Sequence, residues 1–550
     1  MSNALLSAVS GMNAHQKMID VAGNNLANLN TTAFKSSRVT FSDLLSETVR
    51  EASQPTATVG GTNPQQIGSG VRLATVDRNL SQGSLINTGE ALDMAIEGAG
   101  FFVLNDGQQD VYTRAGSFAV DSEYYLVDPA TGYRVQRVGS EGIADGFQSA
   151  TNNAIRIPYD VALPAKETTQ AIFSGNLSAN ESSISTQTLG SGTDFSIGGA
   201  VASAESLLSA TDQSGGTLVD GDIIDVTVWK RDGTEVTGSV TVDKAVTKLQ
   251  DILDKIEALM GDECEASVTN GEIHVADKVA GYSKMDVNLA MHAGATGNLE
   301  LPHHFKILSA GGLASKSTNI ELFDSQGNSH IMSASFVKRD DNLWDMVVTS
   351  VTGETILHDR RIEGISFNAN GSYGGMNSTI NDAGTLQLGF AYDGYATKTI
   401  AADMGTVGEF NGLSQFGGAS TAAPSGQDGY ASGVLSSMSV NREGVLVGVF
   451  TNGVRKDVAA IKVATFQNPA GLQAIGGNYY SSSANSGNPV ATKALAGGAG
   501  AIHGGALEGS NVEIAAEFVN LIQAQNGFQA NARTIRVTNE MLNELTNLIS

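Results

Sequence analysis

The sequence predicts a multidomain, mainly β chain with α-helices at both ends and a small α+β module inserted in its middle. Three observations carry this. Apolar residues recur every seven positions at both chain ends. Period-two alternation, punctuated by Gly, Asn and Asp turns, fills most of the rest. One stretch near the centre combines both patterns.

At the N-terminus, Leu5, Met12, Ile19 and Leu26 are spaced by seven, and Ala8, His15, Ala22 and Leu29 each follow three residues behind. These are a and d positions of a coiled-coil seam, with His15 as the polar exception. Gly11 and Gly23 should each weaken the helix by about 1 kcal/mol relative to Ala. At the C-terminus, Ile514, Leu521, Phe528, Ile535, Leu542 and Ile549 repeat the spacing, and Phe518, Ile522, Met541, Leu545 and Leu548 widen the stripe. Ser510 is a candidate N-cap with Glu513 as its capping-box partner. Periodicity alone fits two amphipathic helices on a globular core equally well; their placement at opposite chain ends favours a coiled-coil-like inner domain. Each helix alone is marginal in water, so both are expected to be partly disordered in the free subunit and to fold on assembly. The candidate assembly residues are Leu5, Met12, Ile19, Leu26, Ile514, Phe518, Leu521, Phe528, Ile535, Leu542, Leu545 and Ile549.

Between the ends, strands are predicted at residues 101–104, 111–114, 116–120, 319–323, 331–337, 344–350, 445–451 and 459–466. Asp106-Gly107 and Asn452-Gly453 supply turns. Residues 222–229 and 235–242 read as strands about an Asp232-Gly233 turn. Leu249, Ile252, Leu253, Ile256 and Leu259 then have helical spacing, and residues 272–275 close the module. The stretches 185–199 and 417–429 are rich in Gly, Ser and Thr and read as linkers or loops, and 494–505 as a flexible joint. The expected domains are a terminal helical domain (1–40 and 508–550), an extended connector (41–75 and 490–507), a discontinuous middle β domain (76–175 and 385–489), an outer β domain (176–199 and 296–384), and the α+β module (200–295).

Only 16% of the 550 residues are charged, yet the formal net charge is −25. Such a surface repels phosphate backbones and anionic headgroups, which argues against nucleic-acid binding and membrane insertion. The N-terminus lacks a basic stretch followed by an apolar one, so no Sec-type leader is expected. No apolar run approaches membrane-span length. The single cysteine, Cys264, lies between Glu263 and Glu265, which should raise its thiol pKa rather than activate it. No catalytic, cofactor or metal site is expected. His303-His304 has no further ligands nearby. Asp220-Gly221-Asp222 lacks the later ligands of a calcium loop. The glycines at 498, 500, 504 and 505 lack the Lys-Ser/Thr of a phosphate loop.

Several blocks carry a family resemblance. Ser10-Gly11-Met12-Asn13-Ala14 and Asn24-Asn25-Leu26-Ala27-Asn28 through Thr32-Ala33-Phe34-Lys35 form the first. Gln82-Gly83, Thr88-Gly89, Leu92 through Phe102, and Tyr112-Thr113-Arg114-Ala115-Gly116 form the second. Residues 450–455, Phe466-Gln467-Asn468-Pro469 and 505–513 form the third, and 515–548 the fourth. Together they resemble bacterial flagellar rod and hook proteins. The long insert, with Leu322-Phe323-Asp324-Ser325-Gln326-Gly327-Asn328 and Trp344, is similar to the hook members. Two positions depart from the pattern: Ala33, where the family usually has Gly, and Tyr124-Tyr125-Leu126, which lacks a Gly often found there.

The resemblance implies a structural subunit, not an enzyme. It would polymerise into the curved tube of the flagellar hook, outside the cell and attached to the basal body, and pass torque from rod to filament. The terminal helices would form an inner tube, the middle β domain would surround it, and the outer domains would project. Implied partners are further copies of the chain, rod, hook-cap and hook-filament junction proteins, and the flagellar type III export apparatus. The alternatives are a distal rod protein or an exported β-rich adhesin.

Overall fold

The computed structural model describes residues 2–56, 58–376 and 384–549, except for the side chains of residues 2, 392, 548 and 549. Among the described residues three α-helices stand among many short strands: α1 (Ser2–Ala27), α2 (Leu249–Met260) and α3 (Ile514–Ile549). The fold is mainly β with a helix at each end, as the sequence patterns predict. The chain divides into two compact units, residues 1–163 with 433–550, and residues 164–432.

In the first unit α1 packs along α3. Just after α1, strand β1 (Ser37–Asp43) pairs antiparallel with β4 (Val71–Arg78). Between them β2 (Ser46–Arg50) and β3 (Gln65–Gly68) form a two-stranded ribbon whose every residue is exposed. The β body draws strands from both halves of the sequence. Phe101–Asn105 pairs with Asp110–Thr113 and also with Val463–Thr465. Met94–Glu97 pairs with Ala501–Gly504, and Leu85–Asn87 with Ala506–Glu508. Of the stretch expected as a flexible joint, residues 501–504 are a paired strand, while 494–499 are turns and coil. Phe101, Tyr112, Phe466 and Tyr480 pack edge to face in the core between these segments.

The second unit begins earlier and ends later than the alternation implies. Gln170–Ser178 is its organising strand. It pairs parallel with Thr397–Asp403 and Leu413–Phe416, and antiparallel with Ala423–Gln427. Residues 385–432 thus belong to the second compact unit and not to the first, which holds the strands at 94–113. The pairing also makes 423–427, expected as part of a linker, a paired strand. Backbone pairing needs no apolar side chains, so a Gly/Ser/Thr-rich strand gives no periodic signal. Phe173 and Leu413 from this sheet pack with Phe336, Trp344 and Met346 from a five-stranded antiparallel sheet.

The α+β module has its own core. Ile224, Val226 and Val228 alternate inward on Ile223–Trp229. Leu249, Ile252, Leu253, Ile256 and Met260 form the buried stripe of α2. The Asp251 carboxylate accepts the Lys248 backbone N–H at 2.7 Å, and Gly261, at φ 75°, ends the helix. Asp222, a candidate calcium ligand by sequence, accepts the backbone N–H groups of Val219, Thr296 and Gly297 instead. These bonds occupy its lone pairs and tie a loop down. Cys264 is buried, and burial, then Glu257 and Asp277, pushes its thiol up to about 12.

His304 lies in a loop, as expected, but is half-buried. Its Nδ1 lies 3.0 Å from the Thr355 carbonyl, and among the described residues its buried Nε2 has no partner. Burial, reinforced by the Arg360 charge, pushes its pKa down to about 4. The unfolded chain titrates near 6.5, so between pH 6.5 and 4 it takes up a proton that the folded unit refuses. Stability therefore falls as the pH drops through that window. Denaturant midpoints at pH 7 and pH 4.5 should reveal a loss on the order of 2–3 kcal/mol, and His304→Gln should remove most of this difference.

Candidate assembly interface

The α1–α3 pair is fixed by three contacts. Asn25 Nδ2 donates to Glu517 Oε1 at 3.1 Å. A Cβ on Gly527 would lie 2.4 Å from the His15 ring, and one on Gly11 would lie 2.9 Å from the Asn531 amide. Positions 25, 15 and 11 on α1 thus meet 517, 527 and 531 on α3, so the helices run antiparallel. The glycines that look like defects in a lone helix are the points of closest approach, where a side chain on one helix fills the place of a missing one on the other. The His15 ring rests on Gly527 and lies 6.3 Å from Phe41 on β1.

The buried stripe of α1 is made of small and amide residues: Ala8, Gly11, Ala14, Ala22 and Asn25. On α3 it includes Ala524 and Thr538. The heptad residues Leu5, Met12, Ile19 and Leu26 flank this stripe and are half-buried, as are Leu521, Phe528 and Ile535. Ile514, Phe518, Leu542 and Leu545 are exposed. The side chain of Ile549 lies outside the described residues. Sequence reading favoured the large residues, whereas the seam selects small ones because the helix backbones approach closely.

A buried charge cluster joins the helices to the β body. Glu508 Oε1 accepts from Lys35 Nζ at 2.6 Å and from the Gly83 N–H at 2.9 Å. Glu508 Oε2 lies 3.5 Å from Arg114 Nη1. The Lys35 and Glu508 side chains are almost wholly buried and that of Arg114 nearly so. Lys35 also donates to the Ser81 carbonyl, and Arg114 to the carbonyls of Ile96 and Gly98. Burial pulls both cations below their usual pKa, and the Glu508 charge opposes this. Beside the cluster, Asn511 Oδ1 accepts the Ser36 N–H, while its Nδ2 donates to the carbonyls of Asn79 and Ser81. Four chain segments meet here. Ser510 is therefore not the N-cap: it lies in the segment crossing to this cluster, and α3 starts only at Ile514.

Ala33 donates its N–H to the Glu508 carbonyl at 2.8 Å and has φ 58°; Tyr124 has φ 66°. Both fall at departures from the family resemblance: Ala33 itself, and the Tyr124-Tyr125-Leu126 block. No group of three metal-ligating side chains suited to an ion occurs among the described residues. No helix among them is long and apolar enough to cross a membrane.

Two outcomes follow. Glu508→Ala leaves two buried cations unpaired and should cost about 3–5 kcal/mol, read as a lower denaturant midpoint of the first unit, with Lys35→Met partly restoring it. Ala33→Gly relieves a left-handed alanine but frees the unfolded chain and removes a buried methyl, so the unfolding free energy, read from the denaturant midpoint, should change by less than about 1 kcal/mol.

Four family models match in order along the chain. They are the flagella basal body rod protein (residues 5–35), the flagellar hook protein FlgE/F/G D1 domain (95–178), the flagellar basal body protein FlaE D2 domain (296–430) and the flagellar basal body rod FlgEFG protein C-terminal (503–548). The chain is similar to the flagellar hook protein FlgE of Borreliella burgdorferi, at 29% identity over all of both chains. It is also similar to that of Escherichia coli, at 28% identity over 99% of this chain and all of the other. The FlgE of Treponema pallidum is 30% identical over the whole of both chains. Both terminal helices, the two-part β body and the second unit all fall within these matches: the chain belongs to the flagellar hook protein family.

Proposed function

We propose that this chain is the structural subunit of the hook, polymerising into a curved tube that carries torque from the basal-body rod to the filament. The observation that supports this best is the unfinished burial of α3. Ile514, Phe518, Val519, Ile522, Val537, Met541, Leu542 and Leu545 are each more than a third exposed along a single helix. An apolar surface of this extent on a helix already docked to α1 fits burial against further copies. The helices form the inner tube, held by these contacts. The outer unit meets its neighbours through polar surfaces with few deep anchors, which suits contacts that must slide as a curved tube rotates. Rod, hook-cap and hook-filament junction proteins are the partners at the two ends, and the flagellar type III apparatus is the export route.

Deleting residues 1–30 or 510–550 tests this. Both deletions keep Lys35, Arg114 and Glu508, so the β body retains its charge cluster. Sedimentation and electron microscopy should show no polymer from either truncated chain, while circular dichroism shows the β signal intact. For the full chain, the helical signal should rise on polymerisation. Long tubes from a truncated chain would sink the proposal.

A further inference from the structure

His303 and His304, a pair without further ligands in the sequence, border a cleft of about 400 Å³ in the second unit. Its other walls are the Ser191-Gly192-Thr193 turn, Lys306 and the strand end at residues 350–353. Strand pairing builds it. Thr188–Gly190 runs antiparallel to Lys306–Ser309, with Gly190 opposite Lys306. The chain then turns at Gly192, whose φ of 64° is left-handed. Lys306 lies across this turn: a Cβ on Gly192 would sit 2.6 Å from Lys306 Cε and 2.8 Å from its Nζ. Glycine thus leaves room for the ammonium beside the backbone of the turn.

The cleft offers hydrogen-bond donors that nothing in the described chain engages. The N–H groups of Gly192 and Thr193 have no partner among the described residues, and Lys306 has no carboxylate within ion-pair distance among them. The hydroxyls of Thr193 and Ser350, on the same walls, are also without partners among the described residues. Successive free N–H groups around a left-handed residue are a recurrent anion seat. No Asp or Glu among the described residues lines the cleft, in a chain that holds 57 of them and carries a net charge of −25. The local field is positive as well. Burial, then the Arg360 charge with a smaller part from Lys306, holds His304 down at about 4, against the Thr355 carbonyl and Asp286. Most of so acidic a surface repels anions; here an ammonium, amides and hydroxyls converge on one space.

We propose that this cleft binds a small phosphate-bearing ligand, its phosphate seated between the Lys306 ammonium and the Gly192 and Thr193 N–H groups. The Thr193 and Ser350 hydroxyls supply further donors. Together these groups outnumber the roughly four acceptor sites of a carboxylate, whereas a phosphate group brings a third strong acceptor oxygen. The volume lies in the range of small-molecule sites and leaves room for a polar body behind the phosphate.

Isothermal titration calorimetry of the full chain with inorganic phosphate, at fixed ionic strength, tests this. One saturable site is expected, with acetate weaker by about tenfold or more. Lys306→Gln should weaken phosphate binding by about tenfold or more, while Lys306→Arg, which keeps the charge, should stay within about threefold. Lys244→Gln removes an exposed charge elsewhere in the unit and should leave binding unchanged. Circular dichroism checks that each variant is folded. A second readout needs no substitution: phosphate should raise the denaturant midpoint of the unsubstituted chain saturably, and acetate at equal ionic strength should not. Absence of saturable phosphate binding, equal losses in Lys306→Gln and Lys244→Gln, or acetate binding as tightly as phosphate would overturn the site.

Discussion

The first unit depends on one carboxylate. Among the described residues Glu508 is the only anion in contact with both Lys35 and Arg114, and the three are withdrawn from water together. A buried charge set of this kind adds little net stability compared with a well-packed apolar core. It is instead intolerant of partial assembly, since removing any member strands the others. Its members come from the N-terminal segment, the β body and the C-terminal segment. The cluster therefore sets where both terminal helices leave the body, and the α1–α3 seam starts from that point.

The seam obeys a related constraint. Antiparallel helices can approach closely only where side chains are small, so Gly11 receives Asn531 and Gly527 receives His15. Close approach leaves the larger apolar residues at the edges of the pair, half-buried or exposed. A surface helix of an isolated globular protein turns these residues inward. Here the small residues take the intramolecular contact and leave Ile514, Phe518 and Ile522 outward. The same arrangement that stabilises the subunit leaves its capacity for further contacts in place.

Legibility in the sequence followed the range of the interaction. The helices at both ends were legible because heptads are local, and so was α2, whose stripe is complete within twelve residues. The cluster was not, because Glu508 and Lys35 are 473 residues apart and neither carries a local signal. Gly11 was visible only as a weakness; its partner on α3 shows why it is there. The strand Ala423–Gln427 was hidden because its hydrogen bonds to Gln170–Ser178 are backbone bonds, which composition does not report. Ala33 and the Tyr124-Tyr125-Leu126 block were visible as departures from the resemblance, and the positive φ of Ala33 and Tyr124 is a conformation that glycine adopts without strain.

The way the second unit is inserted in the sequence bears on the order in which the chain can fold. Residues 164–432 are continuous and hold their own cores, so they can close without the chain ends. At the base of that insertion Lys166 and Tyr430 exchange backbone hydrogen bonds, and within the first unit Leu163 and Gly433 do the same. Once the insertion has folded, the loop separating Lys35 from Glu508 is shorter by more than half. The entropic gain is modest, about 0.6 kcal/mol per halving. The kinetic effect is larger, because the most distant contact in the first unit no longer requires a search over the whole chain. This topology lets the insertion close independently of the chain ends, which carry the candidate assembly residues.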